Sequence, residues 1–154
     1  MLLTATIISS LLASQVSAFT LPGGLADGFY HAYVNERGEE IHEPATKEMV
    51  RSLSAGLQSR NPVMALPPSR IFGRQDGLGG TVWCGCGFNM NSGDCDAAVA
   101  DLKSQVGDST LIPNSQSYYS VRGSVVAFAC NRVDQPWRVS TSGLTQAYGE
   151  ITSA

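Results

Sequence analysis

Three of the four cysteines, Cys84, Cys86 and Cys95, crowd into the stretch WCGCGFNMNSGDCDAAVADLKSQVG from Trp83 to Gly107, and the fourth, Cys130, stands in a separate apolar run, SVVAFACN. What that spacing means depends on the redox compartment. Clustered cysteines in a reducing cytosol read as metal ligands or nucleophiles; outside the cell an even number reads as disulfides. The N-terminus speaks for the second. Leu2 to Leu12 is largely apolar, and Val16-Ser17-Ala18 supplies the small residues that a signal peptidase reads. The apolar run is too short for a membrane anchor and is broken by Thr4, Ser9, Ser10 and Ser14. Residues 1–18 therefore read as a signal peptide. Taking them from 154 residues leaves 136 for a secreted, extracellular chain, enough for one domain with a core.

In that compartment Cys84, Cys86, Cys95 and Cys130 are expected to form two disulfides. Four cysteines allow three pairings. Cys84 and Cys86, two apart in an extended TVWCGC segment, point to the same face and are poorly placed to bond to each other. One is then left for Cys95 and the other for Cys130, and the spacing does not choose which. Each bridge contributes about 2–4 kcal/mol. The spacing lacks the paired pattern of a zinc finger. The glycine-rich run from Gly73 to Gly87 is followed by a strand pattern and not by a helix, so it is no phosphate loop. No metal and no cofactor are expected.

Asp94 is placed to cap a helix in which Cys95, Ala98, Val99, Leu102 and Val106 make one apolar stripe, with Gly107 as its stop. Before it, residues 19–80 divide into a hairpin, a helix and a loop. Tyr30, Ala32 and Val34 alternate with Phe29, His31 and Tyr33, and Asn35-Glu36-Arg37-Gly38 is the turn, with Gly38 at a left-handed bulge position. That register sets Tyr33 against Ile41 and His31 against Glu43; a tighter one would set His31 beside His42. Glu43-Pro44 is expected to open a helix running to about Ser59, with Met49, Leu53 and Leu57 on its inner face. Asn61 to Gly80 reads as a linker. The segment from 19 to about 75 is either a subdomain contributing strands or a propeptide, and the hairpin's buried-looking face favours the subdomain.

Residues 81–154 then read as a cysteine-containing α+β core. Asp108 to Asn114 is expected to be a turn segment, Gln116 to Val121 a strand, and Ser124 to Asn131 the clearest strand. In the last, Val125, Ala127 and Ala129 present a small-residue side against which a helix can pack. Trp137 to Ser140 is a further short strand. Thr141 or Ser142 caps a closing helix carrying Leu144, Ala147, Tyr148 and Ile151.

Chemistry is sparse. There is no G-x-S-x-G, and the two histidines, His31 and His42, both lie on the hairpin. Two imidazoles on neighbouring strands begin an acid–base or metal site, but no third ligand is evident, and packing is the ordinary role of such residues. Asp94 and Asp96 fit the first turn of a helix, where its dipole favours them, and Asp101 reads as solvated. No catalytic residue is assigned. Net charge is −3 and neither half is basic, which argues against a nucleic-acid partner. Tyr118, Tyr119 and Trp137 are the candidate binding surface, because aromatic rings carry interface energy. The chain is expected to be a monomer.

The order of a signal segment, a C-x-C region, GDCDAAVADL, a tyrosine-rich strand, GSVVAFACN and a closing helix resembles small secreted effector-like proteins of filamentous fungi. More closely it resembles the necrosis-inducing secreted effectors thought related to the virally encoded killer toxins of smut fungi. In that group an Asp-Cys opens a helix and a later strand carries an aromatic beside a cysteine; Asp94-Cys95 and Phe128 to Cys130 correspond. Here the cysteine follows Phe128 by two residues instead of preceding it, and the cysteines are fewer. The resemblance implies an α+β fold, an antiparallel sheet with two or three helices packed on one face and stapled by disulfides. It also implies a virulence role exerted by binding an extracellular protein, glycan or membrane target, without catalysis. A small secreted hydrolase, ribonuclease or glycan-active, working through histidine and carboxylates is the alternative. A protease inhibitor using the Asn61 to Gly80 loop is another.

Overall fold

A computed structural model describes residues 19–60 and 90–152. It is an α+β fold with nine elements: β1 (Gly28–Val34), β2 (Glu40–Pro44), α1 (Lys47–Arg60), α2 (Ser92–Val106), β3 (Thr110–Ile112), β4 (Ser117–Arg122), β5 (Val125–Cys130), β6 (Trp137–Val139) and α3 (Thr141–Thr152). Four strands form an antiparallel sheet in the order β2-β1-β4-β5, and β3 pairs with β6 in a second, two-stranded sheet.

The hairpin register is the bulged one. His31 faces Glu43 and Tyr33 faces Ile41. Gly38 carries φ +78° in the turn, a value that glycine adopts without steric cost, and Asn35 Oδ1 accepts from the backbone N–H of Arg37 and Glu39. β1 also pairs with β4, from Gly28 opposite Val121 to Ala32 opposite Ser117. One sheet therefore runs through both halves of the chain, and β1 is an interior strand of it.

Alternation along β1, β4 and β5 builds two faces. On the inner face Phe29, Tyr118, Val125, Ala127 and Ala129 meet Ala98, Leu102 and Val106 of α2, with Val50 of α1 and Leu144 of α3 in the same core. The three small side chains of β5 let α2 lie close. On the outer face Tyr30, Ala32, Tyr119 and Val121 are buried under Phe19 and Leu25 of the N-terminal segment.

Several local expectations are corrected. The cap of α2 is Asn91 and not Asp94: Asn91 Oδ1 accepts from the N–H of Gly93 at 2.9 Å and of Asp94 at 3.2 Å. Gly107 does end the helix, its N–H returning to the Lys103 carbonyl at 3.0 Å. Pro44 does not open α1; it closes β2 opposite Tyr30. Thr46 caps α1 instead, accepting from Met49 N–H at 3.3 Å. The inner face of α1 is Val50 and Ser54, while Leu53 is exposed, because Ser54 Oγ accepts from Leu111 N–H at 3.0 Å and so turns that face to β3. The 108–114 segment holds β3, and α3 is capped by Ser140, whose Oγ accepts from Gly143 N–H at 3.1 Å.

The linker from Asn61 to Gly80, together with Trp83, Cys84 and Cys86, lies outside the described residues. Among the described residues, Cys95 and Cys130 form no disulfide with each other.

Candidate functional site

The two histidines occupy opposite faces of the sheet, because β1 and β2 pair with His31 opposite Glu43 and His42 opposite Ala32. They do not converge. Each instead sits in its own polar cluster.

On the outer face, His42 bridges a carboxylate and a phenol. Its Nε2 is 2.7 Å from Glu40 Oε1 and its Nδ1 is 2.7 Å from Tyr119 Oη. A carboxylate only accepts, so in the neutral ring Nε2–H donates to Glu40, and Nδ1 accepts from the Tyr119 hydroxyl. Glu40 Oε1 also accepts from the backbone N–H of Thr20 at 2.7 Å. The Phe19 ring meets the His42 ring edge-on, centroids 6.3 Å apart, and Tyr30 stacks on Tyr119 at 5.3 Å. Strand geometry explains the cluster: Glu40 and His42 are two apart and share a face.

Carboxylate, imidazole and hydroxyl in a row is the order of a hydrolytic relay. Its chemistry here runs the other way. Burial first, then Tyr30 and Glu40, push the Tyr119 phenol up to about 12. A nucleophile needs its proton held less tightly, so this relay fixes a ring and a hydroxyl in place.

On the inner face, His31 is 4% exposed. Its Nε2 lies 2.7 Å from Gln116 Oε1, and its ring stacks on Tyr118 with centroids 5.0 Å apart. Nδ1 lies 3.5 Å from Glu43 Oε1 and makes no hydrogen bond among the described residues; the same holds for Tyr118 Oη and Ser117 Oγ. Burial raises the Tyr118 phenol to about 12.

The expected exposure of Tyr118 and Tyr119 is therefore corrected. Tyr118 is 0% and Tyr119 2% exposed, one on each face, and both faces are covered. Trp137 is partly buried against the core. Among the described residues the exposed large aromatic ring is Phe128, at 60%, on the outer face of β5. Its backbone is held from the side: the Tyr148 hydroxyl accepts from Phe128 N–H at 2.8 Å and donates to Phe128 O at 3.0 Å. A side chain thus occupies the hydrogen-bonding edge that a further strand would use. Burial pushes the Cys130 thiol above its ordinary range.

Asp101 is also corrected. It is not solvated: its Oδ2 accepts from Ser120 Oγ at 2.6 Å and pairs with Arg122 Nη2 at 2.9 Å, tying α2 to β4. Among the described residues no three His, Cys, Asp or Glu side chains gather as metal ligands, and no helix is long and apolar enough to cross a membrane. Comparison with protein-family models, with curated proteins and with solved structures finds no match to this chain.

Sequence reasoning missed Glu40, Gln116 and Phe128. Glu40-x-His42 on a strand was a usable signal for the first, since residues two apart share a face. Gln116 comes to His31 only through the β1–β4 pairing, which no local pattern announces.

Proposed function

We propose that this protein is exported and acts by binding an extracellular protein, glycan or membrane target, as an effector or toxin does, with no reaction of its own. The observation that carries the reading is the separation of the two imidazoles. Each lies on its own face, locked by its neighbours, and among the described residues the hydroxyl in line with His42 is a phenol with a raised pKa. What the fold offers a partner is a rigid outer surface. Phe128 stands out from β5, its backbone fixed by Tyr148.

The resemblance to necrosis-inducing effectors and killer toxins supports the same reading through Asp94-Cys95 at the start of α2 and Phe128 to Cys130 on β5. In the exported protein, two disulfides run from Cys84 and Cys86 to Cys95 and Cys130 and staple α2 and β5 to the segment before α2. The protein acts as a monomer. A net charge of −3 gives it no electrostatic pull toward nucleic acid.

The test is binding of the labelled, purified protein to intact cells, isolated cell walls and lipid vesicles, beside turnover assays on RNA and polysaccharide. Saturable binding to one of the three surfaces is expected, weakened about tenfold or more by Phe128→Ser, as for an exposed aromatic anchor. His42→Gln leaves that binding in place. Hydrolysis of either polymer that disappears in His42→Gln would overturn the proposal in favour of a small secreted hydrolase.

A further inference from the structure

The two residues that follow the expected cleavage point are already folded onto the sheet. The Phe19 ring packs on the outer-face cluster and meets His42, and the Thr20 N–H donates to Glu40 Oε1 at 2.7 Å. We propose that signal-peptide removal completes this site: the α-ammonium created on Phe19 docks beside the Glu40 carboxylate and locks the N-terminal segment over the outer face. This rests on the export reading, because hydrolysis of the Ala18–Phe19 bond, water adding across it, is what leaves a carboxylate on Ala18 and a free amine on Phe19.

Geometry places the new charge close. The nitrogens of Phe19 and Thr20 are separated by three backbone bonds of about 1.3–1.5 Å each, so the amine falls within about 7 Å of Glu40 Oε1. Among the described residues no lysine or arginine pairs with Glu40. Its partners are the neutral Thr20 N–H and one nitrogen of His42, whose other nitrogen is taken by Tyr119. Phe19 and Leu25 cover Tyr30, Ala32, Tyr119 and Val121, so the segment being locked is the lid of the second apolar cluster. Before cleavage the same nitrogen is an uncharged amide and offers Glu40 no charge. Processing therefore adds one ion pair at the point where the segment begins.

The experiment uses the full chain released from a fusion so that its first residue is Phe19, and the same chain begun at Ala18. An ammonium held by a carboxylate keeps its proton, so acylation of the Phe19 amine at neutral pH is expected to run about tenfold slower than that of a Phe-Thr-Leu peptide, one pKa unit. Glu40→Gln restores the peptide rate. The Phe19 form should melt roughly 3 °C above the Ala18 form, and that difference should vanish in Glu40→Gln. Acylation at the peptide rate in the wild-type protein, or a melting difference that persists in Glu40→Gln, overturns the docking. N-terminal sequencing of exported protein tests the processing on its own: a start at Phe19 supports it, and any other start overturns this role in the natural protein even where the Phe19-initiated chain behaves as described.

Discussion

Replacing Asp101 with alanine removes the acceptor that fastens α2 to the middle of the sheet. Asp101 Oδ2 takes a hydrogen bond from Ser120 Oγ at 2.6 Å and pairs with Arg122 Nη2 at 2.9 Å. Ser120 is 0% exposed, so its hydroxyl would be left without an acceptor where water does not reach. A buried hydrogen bond to a charged group contributes about 1.5–3 kcal/mol. The Arg122 side chain is 30% exposed, and that arm adds no more than about 0.5–1 kcal/mol after screening. The expected loss is therefore about 2–4 kcal/mol, most of it through Ser120. Denaturant unfolding of Asp101→Ala, Ser120→Ala and the double variant separates the two arms. The double variant should be less destabilised than the sum of the singles by about 1–2 kcal/mol, because the second change removes a bond already lost. Additivity within about 0.5 kcal/mol would refute the reasoning and return Asp101 to the solvent-facing role its sequence position suggests.

Gly123 turns the chain between β4 and β5 with φ +54°, and a Cβ there would run into the Asp94 carboxylate. Gly123→Ala should cost about 1–3 kcal/mol in denaturant unfolding, and a loss below about 0.5 kcal/mol would show that the turn and the start of α2 are not in contact. Alkaline unfolding follows from the buried phenols. Tyr118, Tyr119 and Tyr148 are each pushed up to about 12, burial being the first cause in each. Unfolded tyrosines lose their protons near 10, so between about pH 10 and 12 the unfolded chain binds fewer protons and stability falls as pH rises. The denaturation midpoint should hold to about pH 9 and drop by pH 11; an unchanged midpoint at pH 11 would contradict the burial of these hydroxyls.

Where a local conformation admits essentially one residue type, the sequence is a sufficient guide. Gly38 fixes the length of the hairpin turn, and with it the pairing of His31 with Glu43 and of Tyr33 with Ile41. The stripe Ala98, Leu102 and Val106, the stop at Gly107 and the small side of β5 followed from periodicity alone. Errors came where local signals were degenerate or overruled from a distance. Asn91 and Asp94 are both good caps, and only the path of the chain chooses between them. Pro44 suits the first turn of a helix, but it equally suits an edge strand, where its missing N–H costs no ladder bond; β2 is an edge. β3 has three residues, too few for a period, and its partner β6 begins at Trp137.

The candidate site was less legible than the fold. Adjacent tyrosines must point to opposite faces of a strand, so one of Tyr118 and Tyr119 was bound to look outward. That the outward one is buried depends on Phe19 and Leu25 folding back over it, a contact roughly a hundred residues away in the chain. The parting of His31 from His42 likewise needed the register, since a slip of one residue would have brought them together.

The most direct test of the central claim, an exported scaffold held by oxidised sulfur, is mass mapping of peptides from the secreted protein without reduction. Two bridges are predicted, one joining Cys95 and the other Cys130 to the Cys84-Gly85-Cys86 segment, with no thiol left to alkylate. Four alkylated cysteines in the exported protein would contradict it.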